Sequence, residues 1–267
     1  MCGIAGYSLS VKSSVDRTLA AQALLAGIAE RGADAAGYAY RTAGDGHVRG
    51  HKQRSGASAL LEAVELPPEA TEALLHVRDY TKGHPTIEAN NHPIRHGAVV
   101  GIHNGIIFND EEILDCHGFA REKPEMTVDS EAIFALAEHA HGSARALEEL
   151  RGSMACAWLD ERRPDHVFVA RGVARPLWIG TARQERFFAS TAQALELVER
   201  YTGVSLRKRE VAEGTLVALS RGRQAWSERF RPDRRFEERQ LPAVRAPDEG
   251  ASCLRRLATL AAAPTSS

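Results

Sequence analysis

The chain has 267 residues, a formal net charge of −1, 43% hydrophobic and 26% charged residues, which suits one large domain or one domain with an appendage. So even a balance gives no bulk pull toward nucleic acid or an anionic membrane, and no apolar run reaches the ~20 residues a bilayer span needs. The start, MCGIAGYSLSVKSS, has no charged leader and no long apolar region, so it does not read as a signal peptide. Cys2, Cys116, Cys156 and Cys253 form no CxxC pair, and a reducing cytoplasm is the expected compartment. Cys156, inside SMACAWL, reads as a small core residue.

In chain order, residues 3–9 read as a short buried strand and residues 15–30 as a helix with Leu and Ala at helical spacing, stopped near Gly32. GYAYRTA and HVRGHKQ, joined through Gly44-Asp45-Gly46, form a hairpin pattern. ALLEAVEL predicts a short helix ended by Pro67 and Pro68. ALLHVRDY and GAVVGIHNGII predict strands, with a loop rich in His, Pro and Asn between them as functional surface. Helices are expected around 110–117 and 129–139. SMACAWLD, HVFVARG, PLWIGTA, RFFAS and GTLVALS then read as short strands around one helix, TAQALELVER. Strands in runs with helices in two groups suggest an α+β layered fold with antiparallel sheets. The domain is expected to span 2–228. Residues 229–267 read as a charged, Pro/Ala-rich extension holding one short helix.

Four features carry chemistry. Methionine is normally removed when the next residue is small, which would give Cys2 a thiol and a free α-amine on one residue. An amine near ~7.7–8.0 beside a thiol near ~8.5 pairs a nucleophile with its own base at neutral pH; alone, a cysteine at position 2 is a weak signal. Far along the chain, Asn104 and Gly105 pair a side-chain N–H with a backbone N–H, as an oxyanion hole requires, although Asn-Gly is also a common turn. Arg78 at a strand end, followed by Thr81 and Gly83, offers a planar fork to a carboxylate. Asp129 stands at a helix start, where an acidic residue also serves as an ordinary N-cap.

MCGIAGY, RGADAAG, HVRDYTKG, NNHP, HNGII and TVDSEA occur in this order, and together they resemble the class II (N-terminal-nucleophile) glutamine amidotransferase domains, notably those of glucosamine phosphate synthase and amidophosphoribosyltransferase. The resemblance covers roughly residues 2–220. It implies a four-layer αββα sandwich and hydrolysis of the side-chain amide of L-glutamine through a thioester on Cys2. It implies that Asn104 and Gly105 form the oxyanion hole, that Arg78 takes the substrate carboxylate and that Asp129 takes its α-ammonium group. Thr81, Gly83 and His92 would belong to the closing loop, His103 to the substrate-binding set, and Arg31 and Asp34 would order the structure beside the nucleophile. Two positions depart from the pattern: Asp79 replaces the aromatic residue usual after the arginine, and Lys82 replaces a histidine.

Only about 40 residues follow the matched region, too few for a synthase domain. The expectation is therefore a glutaminase that supplies ammonia to a separate synthase partner or releases it. Two alternatives are an N-terminal-cysteine hydrolase of another amide, which would not need both Arg78 and Asp129, and a silent regulatory domain of the same fold, which would not keep Cys2, Asn104 and Arg78. His76, His84, His92, His96 and His103 crowd one region, but Pro93 argues against a helical His pair and no acidic or cysteine partner completes a zinc spacing. No metal, no cofactor, no nucleic-acid partner and no membrane contact are expected.

Overall fold

Every residue of strand β1 (Gly3–Leu9) is buried, which demands a neighbour on each edge and cover on each face. The computed structural model describes residues 1–262. Helix α1 (Arg17–Ile28) is started by Asp16, whose side chain accepts the Leu19 N–H at 2.9 Å, and it ends in a 3-10 turn, Ala29–Arg31. The hairpin of β2 (Ala35–Thr42) and β3 (Arg49–Gln53) leads through the short helix α2 (Ala57–Leu60) into β4 (Ala70–Arg78). Beyond a long loop come β5 (Ile94–His96), β6 (Val99–Ile107), α3 (Asp110–His117) and α4 (Ser130–His139). Strands β7 (Gly152–Asp160), β8 (His166–Arg171), β9 (Trp178–Thr181) and β10 (Glu185–Ala189) precede helix α5 (Ala192–Thr202). Then follow β11 (Arg207–Glu210), β12 (Thr215–Ser220), β13 (Arg223–Arg229) and helix α6 (Pro247–Ala262).

The strands make a seven-stranded sheet, β11-β9-β10-β1-β4-β2-β3, and a six-stranded sheet, β13-β12-β8-β7-β6-β5. Neighbouring strands run antiparallel throughout. The two-residue side-chain period sorts each strand between two cores. On β4, Ala73, Leu75 and Val77 join α1, α5 and α6 in one cluster, while Leu74 meets Val100 and Ile102 of β6 between the sheets. A third cluster lies under α4, where Ile133 and Phe134 pack with Trp158 and Phe168. The result is the expected four-layer αββα sandwich. Arg41 pins the two sheets together: it pairs with Glu72 on its own sheet and donates to the Asp160 and His166 carbonyls on the other, both at 2.9 Å.

Three strands have no counterpart in the sequence reading. Each is an edge strand, and β11 (RKRE) and β13 (RQAWSER) carry the charge that solvent-facing edges tolerate and apolar alternation does not reveal. The C-terminal helix is longer than expected, at 16 residues. It lays Cys253 and Leu257, both at 0% exposure, into the cluster built on α1.

Candidate active site

The register of β1 on β4 places Gly3 opposite Val77, so Cys2 lies beside the end of β4. Its thiol donates to the Asp79 carbonyl at 3.4 Å, and its own carbonyl accepts the Arg31 Nε–H at 2.8 Å. Gly32 makes this approach possible, because a Cβ there would lie 2.4 Å from the Arg78 carbonyl carbon and oxygen. Asp34 completes the junction: its N–H donates to the Arg78 carbonyl at 3.0 Å, and its carboxylate accepts the Tyr80 N–H at 2.9 Å. Arg31 and Asp34 thus tie the end of β4 to the start of the chain at Cys2. Burial pushes the Cys2 thiol up, opposed by the Asp79 backbone, the cationic N-terminus and Arg78.

Arg78 is 2% exposed. One Nη donates to the Asn91 side chain at 2.6 Å, and the other to the Lys82 carbonyl at 2.9 Å and to the Gly83 carbonyl. The guanidinium therefore holds the 79–92 loop against the strand end. Burial holds it below its ordinary range, and Cys2, Asp129 and Asp34 oppose that shift, so these four groups share one neighbourhood. Gly83 takes a positive φ of 76° within this loop. Thr81 is exposed and His92 buried at the loop's far end. Lys82 pairs with Asp110 at 2.5 Å, anchoring the loop to the start of α3.

On the other sheet, β6, which contacts β1, brings Asn104 into the interior at 0% exposure. Neither its Nδ2 nor its Oδ1 has a hydrogen-bond partner. A buried amide left open in this way is rare and costly. Gly105 follows with a φ of 149°, and a Cβ there would stand 1.9 Å from the Ser153 carbonyl oxygen, so the step demands glycine. The Asp129 carboxylate accepts the Ile107 N–H at 2.7 Å and makes no side-chain cap for α4. Burial lifts it to about 6, opposed by that N–H. His103 lies on the other face of β6, with Nδ1 2.9 Å from the Ser130 hydroxyl. Its side chain holds β6, the strand that carries Asn104, to the start of α4.

Of the clustered histidines, His76 and His92 stack with ring centroids 4.2 Å apart. His76 Nε2–H donates to the His103 carbonyl at 3.0 Å, leaving Nδ1 and both His92 nitrogens without partners. Burial holds His76 and His103 down at about 3 and His92 well below its ordinary range, so all three are neutral. His84 is exposed, and His96 faces Glu131 at 3.1 Å. Among the described residues no group of three or more His, Cys, Asp and Glu side chains is placed to hold a metal ion. A cavity of about 780 Å³ lies elsewhere, between β3 and the 88–95 and 122–126 segments, lined by His51, Lys52, Glu88, Arg95 and Met126. Cys2, Asn104 and Asp129 do not line it.

The site also recruits groups the sequence did not single out. Asn91 orients Arg78, Ser130 orients His103, and Arg245 from the C-terminal segment reaches Asp79 at 3.3 Å. Asn91 lay in the quoted NNHP motif. Nothing local marks Arg245, whose partner is far away in sequence.

Two stacked antiparallel sheets under outer helices, with a cysteine at the head of a central strand and an Asn-Gly step on a strand of the other sheet in contact with it, define the N-terminal-nucleophile hydrolase architecture. A model of the family described as "glutamine amidotransferase domain" matches residues 80–197. Glutamine–fructose-6-phosphate aminotransferase (isomerizing) of Shouchella clausii is 31% identical over 208 residues, 73% of this chain and 33% of the relative. The protein of the same name from Escherichia coli is 33% identical over 230 residues, 80% of this chain and 36% of the relative. This chain thus spans about a third of the length of these relatives. The Bacillus subtilis glutamine phosphoribosylpyrophosphate amidotransferase shares the fold with a TM-score of 0.67 at 22% identity, covering 85% of this chain and 49% of that one. A class-II domain protein of Silicibacter pomeroyi matches with a TM-score of 0.55 at 18% identity, over 86% of this chain and 100% of its own. The chain belongs to the class II glutamine amidotransferase domain family. No helix of the described residues is long and apolar enough to cross a membrane.

Proposed function

We propose that this protein hydrolyses the side-chain amide of L-glutamine, with Cys2 as nucleophile once Met1 is removed. The observation that carries this reading is the Asn104 amide, fully buried and without a partner, on a strand in contact with β1. Such a group is tolerated when a ligand supplies its missing bond. In the proposed reaction the Cys2 α-amine takes the thiol proton and the sulfur attacks the amide carbon. The Asn104 Nδ2–H and Gly105 N–H stabilise the oxyanion. The C–N bond then breaks, ammonia leaves with the proton held by the amine, and water cleaves the γ-glutamyl thioester to glutamate.

Arg78 and Asp129 have opposite charges and lie in one neighbourhood, which fits a free amino acid's carboxylate and ammonium groups. Thr81, Gly83 and His92 belong to the loop that Arg78 holds and are assigned to closure over substrate. The ammonia acceptor is proposed to be a synthase partner, as the relatives' names pair glutamine with an acceptor. A cytoplasmic setting suits four cysteines that are all free.

Glutamate release from L-glutamine by protein shown by intact mass to lack Met1, beside Cys2→Ala, tests the assignment. Turnover that disappears in Cys2→Ala is expected. Turnover that survives it removes Cys2 from the reaction.

A further inference from the structure

The end of the sandwich remote from Cys2 gathers arginines from both sheets. Arg186 lies opposite Ser8 near the end of β1, about 20 Å along the strand from Cys2. Thr181 of β9 has Arg186 of β10 on one side and Arg207 of β11 on the other, so both arginines stand on one face, with Arg209 two residues along. That face looks toward the second sheet, because Ile179 and Phe188 of the same face belong to the cluster between the sheets. From the second sheet the β12–β13 turn brings Arg221 and Arg223. Gly222 between them takes a φ of 74°, and a Cβ there would lie 1.9 Å from the Gln184 carbonyl oxygen. The turn therefore presses on the β9–β10 turn, which carries Arg183. One Nη of Arg186 donates to the Gly222 carbonyl and one Nη of Arg209 to the Gln224 side chain, both at 3.0 Å.

Six guanidinium groups thus meet in a chain whose formal net charge is −1. Among the described residues only Arg221 of the six has an ion-pair partner, Asp165. The acidic groups nearby are engaged elsewhere: Glu185 is buried and accepts the Ser13 hydroxyl, Glu199 pairs with Lys208, and Glu210 with Arg171. Burial holds Arg186 below its ordinary range, with Arg223 and Arg207 adding to the shift and Glu185 opposing it. Charge along a free edge guards a sheet against pairing, and Arg207 and Arg209 on β11 would serve that end alone. It does not account for arginines of two sheets meeting across a contact that only glycine allows, where like charges repel. Beside them stands Val11, at 66% the most exposed large apolar side chain among the described residues, tied in by the Ser10 N–H, which donates to the Gln184 carbonyl at 2.9 Å. Planar forks suit carboxylates, and arginine around an apolar centre is the composition of a protein interface. The exposed aromatic side chains, Tyr80 and Phe108, follow Arg78 and Ile107 at the other end, so this corner offers no platform on which bases would stack.

We propose that this corner, Arg183, Arg186, Arg207, Arg209, Arg221 and Arg223 around Val11, is the docking surface for an acidic face of the ammonia-accepting partner. That the occupant is the ammonia acceptor rests on the glutaminase reading; the surface and its preference for carboxylates do not. The partner's carboxylates relieve the repulsion among the arginines, and the unpaired charge speeds their encounter. A partner seated here grips one end of the sandwich and leaves the 79–92 loop at the other end free to open.

The test titrates the full chain into fluorescein-labelled poly-L-glutamate, beside charge-matched oligo-dT, and follows anisotropy at low and raised salt. Wild type is expected to bind poly-L-glutamate more tightly than oligo-dT, with an affinity that falls as salt rises. Arg207→Gln combined with Arg223→Gln should weaken that binding about tenfold or more. Arg234→Gln combined with Arg235→Gln removes the same charge from two arginines paired with Glu213 and Asp233 and should leave it unchanged. Deuterium exchange in the complex should slow in residues 182–186, 205–210 and 220–224. Glutamate release from glutamine should match wild type in the Arg207/Arg223 variant, and its melting temperature should be no lower, since repulsion is removed. No binding by the wild type, or equal weakening in both double variants, overturns the proposal. Tighter binding of oligo-dT overturns it in favour of a polynucleotide. Should the Arg207/Arg223 variant fail to fold, Arg183→Gln combined with Arg209→Gln decides by the same comparison. Absence of glutamine turnover in the wild type would instead count against the glutaminase reading, while the titration still judges the surface.

Discussion

Replacing Asn104 with leucine should make the protein more stable and nearly inactive. Asn104 is at 0% exposure with both amide atoms unpartnered, and it sits in line with Val100 and Ile102, which pack between the sheets. An unsatisfied buried polar group costs about 1–3 kcal/mol, and leucine fills a similar volume without that penalty. A domain of this size gains roughly 2–4 °C in melting temperature per kcal/mol, so Asn104→Leu should melt about 2–12 °C higher by scanning calorimetry. Loss of one oxyanion donor costs about 10²- to 10³-fold in kcat, read as glutamate release by the processed protein. A fall in melting temperature would mean that the amide is satisfied in the folded chain. A kcat within tenfold of wild type would remove Asn104 from the oxyanion hole. Either result refutes the reasoning, because both halves come from the same open hydrogen bonds.

Two further outcomes follow from burial. Asp129, lifted to about 6 by its surroundings, carries its negative charge only above that pH. Its grip on the substrate ammonium group should therefore fail on acidification: KM for glutamine should rise about tenfold per unit below pH 6, with kcat less affected. The sign for stability is opposite to that of a paired carboxylate. The folded chain takes up this proton before the unfolded chain does, so acidification through pH 6 relieves a cost at this residue; urea unfolding at pH 7 and pH 5 for wild type and Asp129→Asn isolates the effect. Leu257→Ala on α6 should cost about 2–5 kcal/mol in urea unfolding, since Leu257 is fully buried against the α1 cluster. A loss under 1 kcal/mol would show that α6 is a detachable appendage.

The interior strands and the chemistry were legible because both are written locally. GIAGYSL spans the observed β1, and residues 110–117 span α3. IHNGII showed its Asn-Gly step directly, and the ordered motifs supplied the partners. What escaped depends on distance. The strands β11 and β13 are charged edges whose place comes from their neighbours. Cys253 sits amid polar residues in sequence and at 0% exposure in the fold, because α6 turns one narrow face to α1. The unpartnered state of Asn104, the contact of His103 with Ser130 and the reach of Arg245 to Asp79 all arise between segments far apart in the chain.

The placement of β1 has a kinetic consequence. It lies between β10 and β4, buried along its whole length, so its amides should exchange with deuterium only when the entire sandwich opens. The 79–92 loop and the 230–246 segment beside it are held by a few side chains and open far more cheaply. Heating should therefore silence the enzyme in two stages: an early, reversible loss as the loop and the C-terminal segment loosen, then a late one as β1 itself gives way. Protein cooled between the two stages should recover full activity with Cys2 never having left its seat.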